Sequence, residues 1–196
     1  ISLYNNNYRL NKSLDYRLTP LSKYEDAIAK IGAVDTYAIR LEKEGLISTA
    51  HKSLGATLKG ISLENEQTFG GLDAFITKGN YSFGNGNKNA LIGSALAKKL
   101  NITIGSRVIF TAQDVTGEIN AISFRISGIL KTGNPALDDS SVFVSMEKIS
   151  TFLNLHQSAT QIALRVKNTE DIKQVQNELQ VLFPDIDVLR RYELYP

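Results

Sequence analysis

With 196 residues, 42% hydrophobic and 21% charged, the chain can bury roughly 70% of its unfolded surface without staples, which excludes disordered and collagen-like chains. Its formal charge is only +2, and the longest basic runs are the pairs Lys98-Lys99 and Arg190-Arg191, so no stripe of phosphate-neutralising charge marks it for nucleic acid. The lack of cysteine excludes zinc–thiolate sites, iron–sulfur clusters, thiol nucleophiles and disulfides together.

The opening, "ISLYNNNY", reads as a strand running into an Asn-rich turn. A helix is predicted over 22–31: Ser22 and Glu25 fit a capping box, Tyr24, Ile28 and Ile31 share a face, and Gly32 stops it. Two strands follow, at 36–42 and 54–61, with Gly45 and His51 between them. Residues 62–76 predict a short helix broken at Gly70-Gly71, and "KGNYSFGNGNKN" is loop by composition. "NALIG" is a short apolar strand, after which Ser94 is expected to cap "ALAKKL" and Asn101 to end it. The segments 106–111 and 122–130 alternate as paired strands, with a hairpin turn at Thr116-Gly117. "SSVFVSM" is a strand, and Ser145 caps a helix reaching Leu155. Residues 160–166 form a strand, and Asn168 or Thr169 caps a helix with the apolar stripe Ile172, Val175, Leu179, Leu182 and Phe183. Pro184 ends that helix and 186–189 returns as a strand.

The strand-helix-strand pattern at both ends predicts an α+β fold of two subdomains. A discontinuous β-α-β subdomain is expected from 1–89 and 156–196, with a mixed α/β subdomain, 90–155, inserted. The sequence starts at Ile1 without an initiator Met, a signal peptide or an apolar run of about 18 residues, and is read as a piece of something longer.

Chemistry is sparse. No HExxH, GxSxG or Walker motif occurs, and His51 and His156 are the only histidines, each expected to be exposed. "FGNGN" lacks the third glycine of a dinucleotide loop. Three acidic groupings could bind calcium or carry acid–base work: Asp138-Asp139, Asp185 with Asp187, and Glu64 with Glu66. Against that stands the plain reading of Asp138-Asp139 as a turn cap and of Asp185 and Asp187 as one solvent face of a strand. The polar hairpin 112–121 carries Asp114, Val115, Thr116, Gly117, Glu118 and Ile119, with Val115 and Ile119 expected on an exposed tip. These six are candidate partner contacts, with a plain connecting hairpin as the alternative.

Taken together, "TLKGIS", "ALIGSALAKKLNITIGSRVIF", "FRISGILKTGNPALDDSSVFVSMEKISTFLNL" and "VLRRYELYP" resemble the periplasmic core domain of MacB-type ABC transporter permeases, a family that includes the lipoprotein-release permeases LolC and LolE. The match runs from about Ala56 to Pro196; the first fifty residues agree only in pattern. Ser106 stands where the family often has Asp, and Tyr192 where Trp is usual. The hairpin is short and has no proline, and the positions flanking the carrier-recruiting hook of LolC-like proteins fall on Ile109, Ala121 and Ile122. The resemblance therefore implies a LolE-like or general exporter subunit. It implies a porter-like subdomain from the chain ends and an extracytoplasmic position in a bacterial inner-membrane protein. It further implies no catalysis and no cofactor in this domain, with ATP bound by a separate subunit or domain reached through membrane helices. The implied partners are a second permease copy or paralogue and a lipoprotein or other periplasmic protein. Two other classes stay open: a free-standing extracellular adhesin, suggested by the Asn-rich loops, and a hydrolase using Asp138 and Asp139.

Overall fold

The computed structural model of the chain describes residues 1–194; Tyr195 and Pro196, the end of the tail compared above, lie outside the described residues. The elements in chain order are β1 (Ser2–Asn5), α1 (Leu21–Ala29), β2 (Val34–Ser48), β3 (Ser53–Ile61), α2 (Leu63–Gly70), β4 (Ile76–Gly79), β5 (Asn89–Gly93), α3 (Ser94–Leu100), β6 (Arg107–Gln113) and β7 (Ile119–Leu130). They continue with α4 (Pro135–Asp138), β8 (Ser141–Ser145), α5 (Met146–Leu153), β9 (Gln161–Val166), α6 (Ile172–Leu182), β10 (Ile186–Leu189) and α7 (Arg191–Leu194). The chain divides into unit 1, Ile1–Leu41 with His156–Pro196, and unit 2, Glu42–Leu155.

Unit 1 is β-α-β-β-α-β, with strands in the order β10-β1-β9-β2 and every pair antiparallel. Its core joins Leu3, Leu18, Tyr24, Ile28, Ile162, Leu164, Val175, Leu179, Phe183 and Val188. Full burial of one such side chain stabilises by about 1.5–3 kcal/mol. The helices seat themselves by this burial more than by their caps. α1 begins at buried Leu21 after Pro20 with no side-chain cap bond, so the expected Ser22–Glu25 box does not form. Glu25 instead accepts a hydrogen bond of 2.8 Å from the Tyr37 hydroxyl. Along α6, Val175 and Leu179 are buried as the stripe predicts, but Leu182 is 55% exposed. Phe183, just past the helix, turns inward instead, and its ring lies 4.9 Å from that of Tyr24.

In unit 2 the strand pairings close on themselves: β2, β3, β8, β5, β7 and β6 follow one another, and β6 returns to β2. Alternation along β6 sends Val108, Phe110 and Ala112 inward, where the Phe110 ring meets Phe152 edge-on at 6.2 Å. β2 runs unbroken through Gly45, which the sequence reading placed between two strands. A Cβ at that position would collide with the Thr111 carbonyl and the Phe110 ring, so only glycine lets β2 pass β6 so closely.

The insert begins at Glu42, earlier than the expected residue 90. The reason is non-local pairing: β3 aligns in parallel with β8, Thr57 opposite Ser141, and β4 pairs with the end of β7. Ser145 caps α5 as expected, accepting from the Lys148 amide at 3.1 Å, and Asn154 stops it in the left-handed region. Ser94 does not cap α3; it is the helix's first residue, and no side chain bonds at that terminus.

Candidate functional site

The hairpin between β6 and β7 is built around one carboxylate. Asp114 Oδ1 accepts from the Thr116 amide (2.8 Å), the Thr116 hydroxyl (2.6 Å) and the Glu118 amide (3.0 Å), while Oδ2 accepts from Asn120 Nδ2 (3.1 Å). Gly117, at φ +92°, supplies the turn's left-handed residue. The Thr116 hydroxyl first, and then the Glu118 and Thr116 amides and Asn120, hold the Asp114 carboxyl below the usual range against an opposing desolvation cost. With its lone pairs so occupied, Asp114 stiffens the tip and does not reach outward.

Of the two expected tip hydrophobes only Ile119 is free to meet a partner, at 74% exposed. Val115 is half-buried, and its amide donates to the Leu153 carbonyl at 3.2 Å, tying the turn back to the end of α5. Thr116, Gly117 and Glu118 are exposed. The outer face of β2, β6 and β7 continues from the tip: Leu46 stands opposite Thr111, which stands opposite Ala121, and Ile109 lies one pair further along. Leu46 and Ile109 are both exposed there.

The acidic groupings do not assemble into sites. Asp138 is only 8% exposed and accepts from the Thr132 amide (2.9 Å), the Thr132 hydroxyl (2.7 Å) and the Gly133 amide (3.0 Å). Burial alone would raise its pKa, but those three donors, with nearby Lys131, hold it below the usual carboxylate range. Asp139 turns the other way, to Lys99 Nζ at 3.6 Å. Glu64 is exposed while Glu66 is buried, and the hydroxyl of Tyr81, its pKa raised by burial and then by Glu66 and Asp73, donates to the Leu63 carbonyl at 2.7 Å. Asp185 is exposed and Asp187 half-buried, and both histidines are exposed. Among the described residues no group of three His, Cys, Asp or Glu side chains could hold a metal ion, and no helix is long and apolar enough to cross a membrane.

The sequence reading missed a basic groove of about 420 Å³ beside β7, lined by Lys88, Arg107, Arg125 and Lys148 together with Ile122, Ser123 and Phe124. Arg107 and Arg125 are directly opposed across β6 and β7. The signal was present: a turn centred on Thr116 places residues nine before and nine after it face to face.

The sequence model of a family described as the MacB-like periplasmic core domain matches residues 5–182. This reaches further toward the N-terminus than the quoted segments and stops short of the "VLRRYELYP" tail. No curated protein sequence matches the chain. Among solved structures, the periplasmic region of MacB from Actinobacillus actinomycetemcomitans is similar at a TM-score of 0.68 and 16% identity, covering 96% of this chain and 87% of that one. The extracellular domain of the noncanonic ABC-type transporter YknZ from Gram-positive bacteria is similar at a TM-score of 0.65 and 15% identity, covering 97% of this chain and 99% of that one. At these identities the likeness establishes the α+β fold.

Proposed function

The chain belongs to the MacB-like periplasmic core domain family, the extracytoplasmic domain of ABC transporter permeases, and from that premise we propose that it couples ATP hydrolysis in a separate cytoplasmic subunit or domain to movement outside the membrane. The observation that supports coupling is the pairing of the chain's two ends. β1 and β10 are antiparallel neighbours with Ser2 opposite Leu189, so the chain enters and leaves unit 1 side by side. That is the geometry of a domain set between two consecutive membrane helices, each able to pass motion into the same edge of one sheet. A like domain, from a second copy or a paralogue, is the partner against which such a domain moves. We read the domain as non-catalytic and free of cofactor, because Asp138, one of its two buried carboxylates among the described residues, is spent on three local donors and no acidic grouping assembles around it or around Glu66.

Lipoprotein release is one task within this reading. The tight, Asp114-centred turn offers no extended hook, and Ile109, Ala121 and Ile122 flank it where a carrier-recruiting permease needs polar recognition. This favours a LolE-like or general exporter subunit over a carrier-recruiting one. Membrane fractionation of the full-length protein, followed by protease treatment of spheroplasts, tests the placement. Retention in the inner membrane with cleavage of this segment from outside is expected; recovery in the soluble or secreted fraction would overturn it and return the adhesin reading.

A further inference from the structure

The first half of β7 has a strand partner on one side only. The Asp114 amide donates to the Glu118 carbonyl at 2.8 Å and the Ile126 amide to the Ser106 carbonyl at 2.9 Å, which fixes the phase of the hairpin ladder. In an antiparallel pair, alternate residues turn their N–H and C=O toward the partner. Asn120, Ile122 and Phe124 therefore face β6, while Ile119, Ala121 and Ser123 present theirs to the opposite side. On that side β5 reaches only to Arg125, opposite Asn89. Among the described residues no strand pairs with β7 there, so a short edge lacks a strand partner in a ring of strands that is otherwise closed, with Lys148 of α5 bordering the groove beside it.

The groove along this edge carries four cations. Arg107 and Arg125 occupy a non-hydrogen-bonded pair, the closer kind, and like charges directly opposed in that way repel. Arg125 Nη1 donates only to the Gly105 carbonyl at 3.0 Å, and none of the four cations has a carboxylate partner among the described residues. No acidic side chain lines the groove. A repulsive pair and an unfilled edge are each unfavourable in the free domain, and one kind of ligand relieves both.

We infer that the edge at residues 119–124, flanked by Lys88, Arg107, Arg125 and Lys148, receives an extended acidic peptide segment of a partner protein as an added strand. Main-chain bonds to Ala121 and Ser123 supply affinity, and alternate carboxylates of the peptide meet the cations. A second copy of this edge is a poor occupant, because the same four cations would then face one another. The inference takes from the proposed function only the idea that this domain binds partners outside the membrane; its assay uses the chain alone, so the loss of either reading leaves the other standing.

The probe is a fluorescent ten-residue peptide of alternating Glu and Val, titrated into the 196-residue chain at low salt. Amide hydrogen exchange at Ala121 and Ser123 is expected to slow on binding. Methylating alternate peptide nitrogens, which removes the donors but keeps every charge, is expected to weaken binding about tenfold or more. Lys148→Glu with Lys88→Glu is expected to weaken it about tenfold; Glu at 148 completes a capping box with Ser145, so the helix survives the change. Absence of binding, equal binding of the methylated peptide, or unchanged exchange at Ala121 and Ser123 would each overturn the proposal. So would anionic phosphatidylglycerol vesicles that bind as tightly as the peptide without slowing those two amides, a result that assigns the groove to lipid headgroups.

Discussion

Two aspartates in unit 2 are held by nearly the same set of donors in opposite surroundings. Asp114, at the hairpin tip, and Asp138, between β7 and β8, each accept from a threonine amide, from that threonine's hydroxyl and from a second backbone amide. The threonine follows the aspartate by two residues in one case and precedes it by six in the other. Asp138 is buried beside a half-buried Thr132 and an exposed Gly133, whereas Thr116 and Glu118, which supply the donors of Asp114, are both exposed. If Asp114 is removed, water replaces it; if Asp138 is removed, water reaches its donors less freely. The comparison separates the geometry of a hydrogen bond from its worth, because the second depends on what the unpaired donor would meet.

The sharpest way to break this contrast is Asp138→Ala. It takes the carboxylate away from the half-buried Thr132 amide and hydroxyl and from the Gly133 amide, and is expected to cost about 1–2 kcal/mol in denaturant unfolding. A loss below about 0.5 kcal/mol would show that water reaches the site. The acid limb sharpens the same point. The folded-state pKa of Asp138 lies below its ordinary value, so its contribution is complete above about pH 4 and is lost as pH falls through the lower folded value. The stability gap between the natural chain and Asp138→Asn should therefore close on acidification, and a gap that widened in acid would reverse the sign of the effect.

A smaller difference is expected between the two threonines. Thr132→Val removes only a hydroxyl and should cost about 1 kcal/mol, while Thr116→Val at the tip should stay within about 0.5 kcal/mol; equal losses would erase the distinction. The effect of Asp114→Ala is read best locally, because its four donors are released to solvent at the tip. The melting midpoint should hardly move, but the Thr116 and Glu118 amides should exchange faster, as seen by NMR; unchanged exchange would mean that other contacts hold the turn.

Local signals in the sequence located most elements because those elements answer to local causes. Asn101 ends α3 in the left-handed region, Ser145 caps α5, and Thr116-Gly117 turns the hairpin, each within a few residues of the bond that explains it; α5 itself stops at Asn154, short of the expected Leu155. The features that escaped depend on partners far away in the chain. The insert begins at Glu42 because β3 meets β8 more than eighty residues later, and Gly45 belongs inside a strand because Phe110 and Thr111 lie against it. Val115 looked like an exposed tip residue until its amide found Leu153. The basic groove needed two facts together: the register that opposes Arg107 to Arg125, and the short reach of β5 that leaves β7 uncovered.

The side-by-side strands that begin and end unit 1 also determine how it would respond to a pull on its ends. Ser2 and Leu189 sit at the same end of an antiparallel pair, so drawing them apart peels the β1–β10 ladder open like a zipper, one rung at a time, at low force. Displacing both together strains no rung of that ladder. The ladder is in this sense a mechanical filter: it withstands a shared displacement of Ser2 and Leu189 and yields when the two are drawn apart.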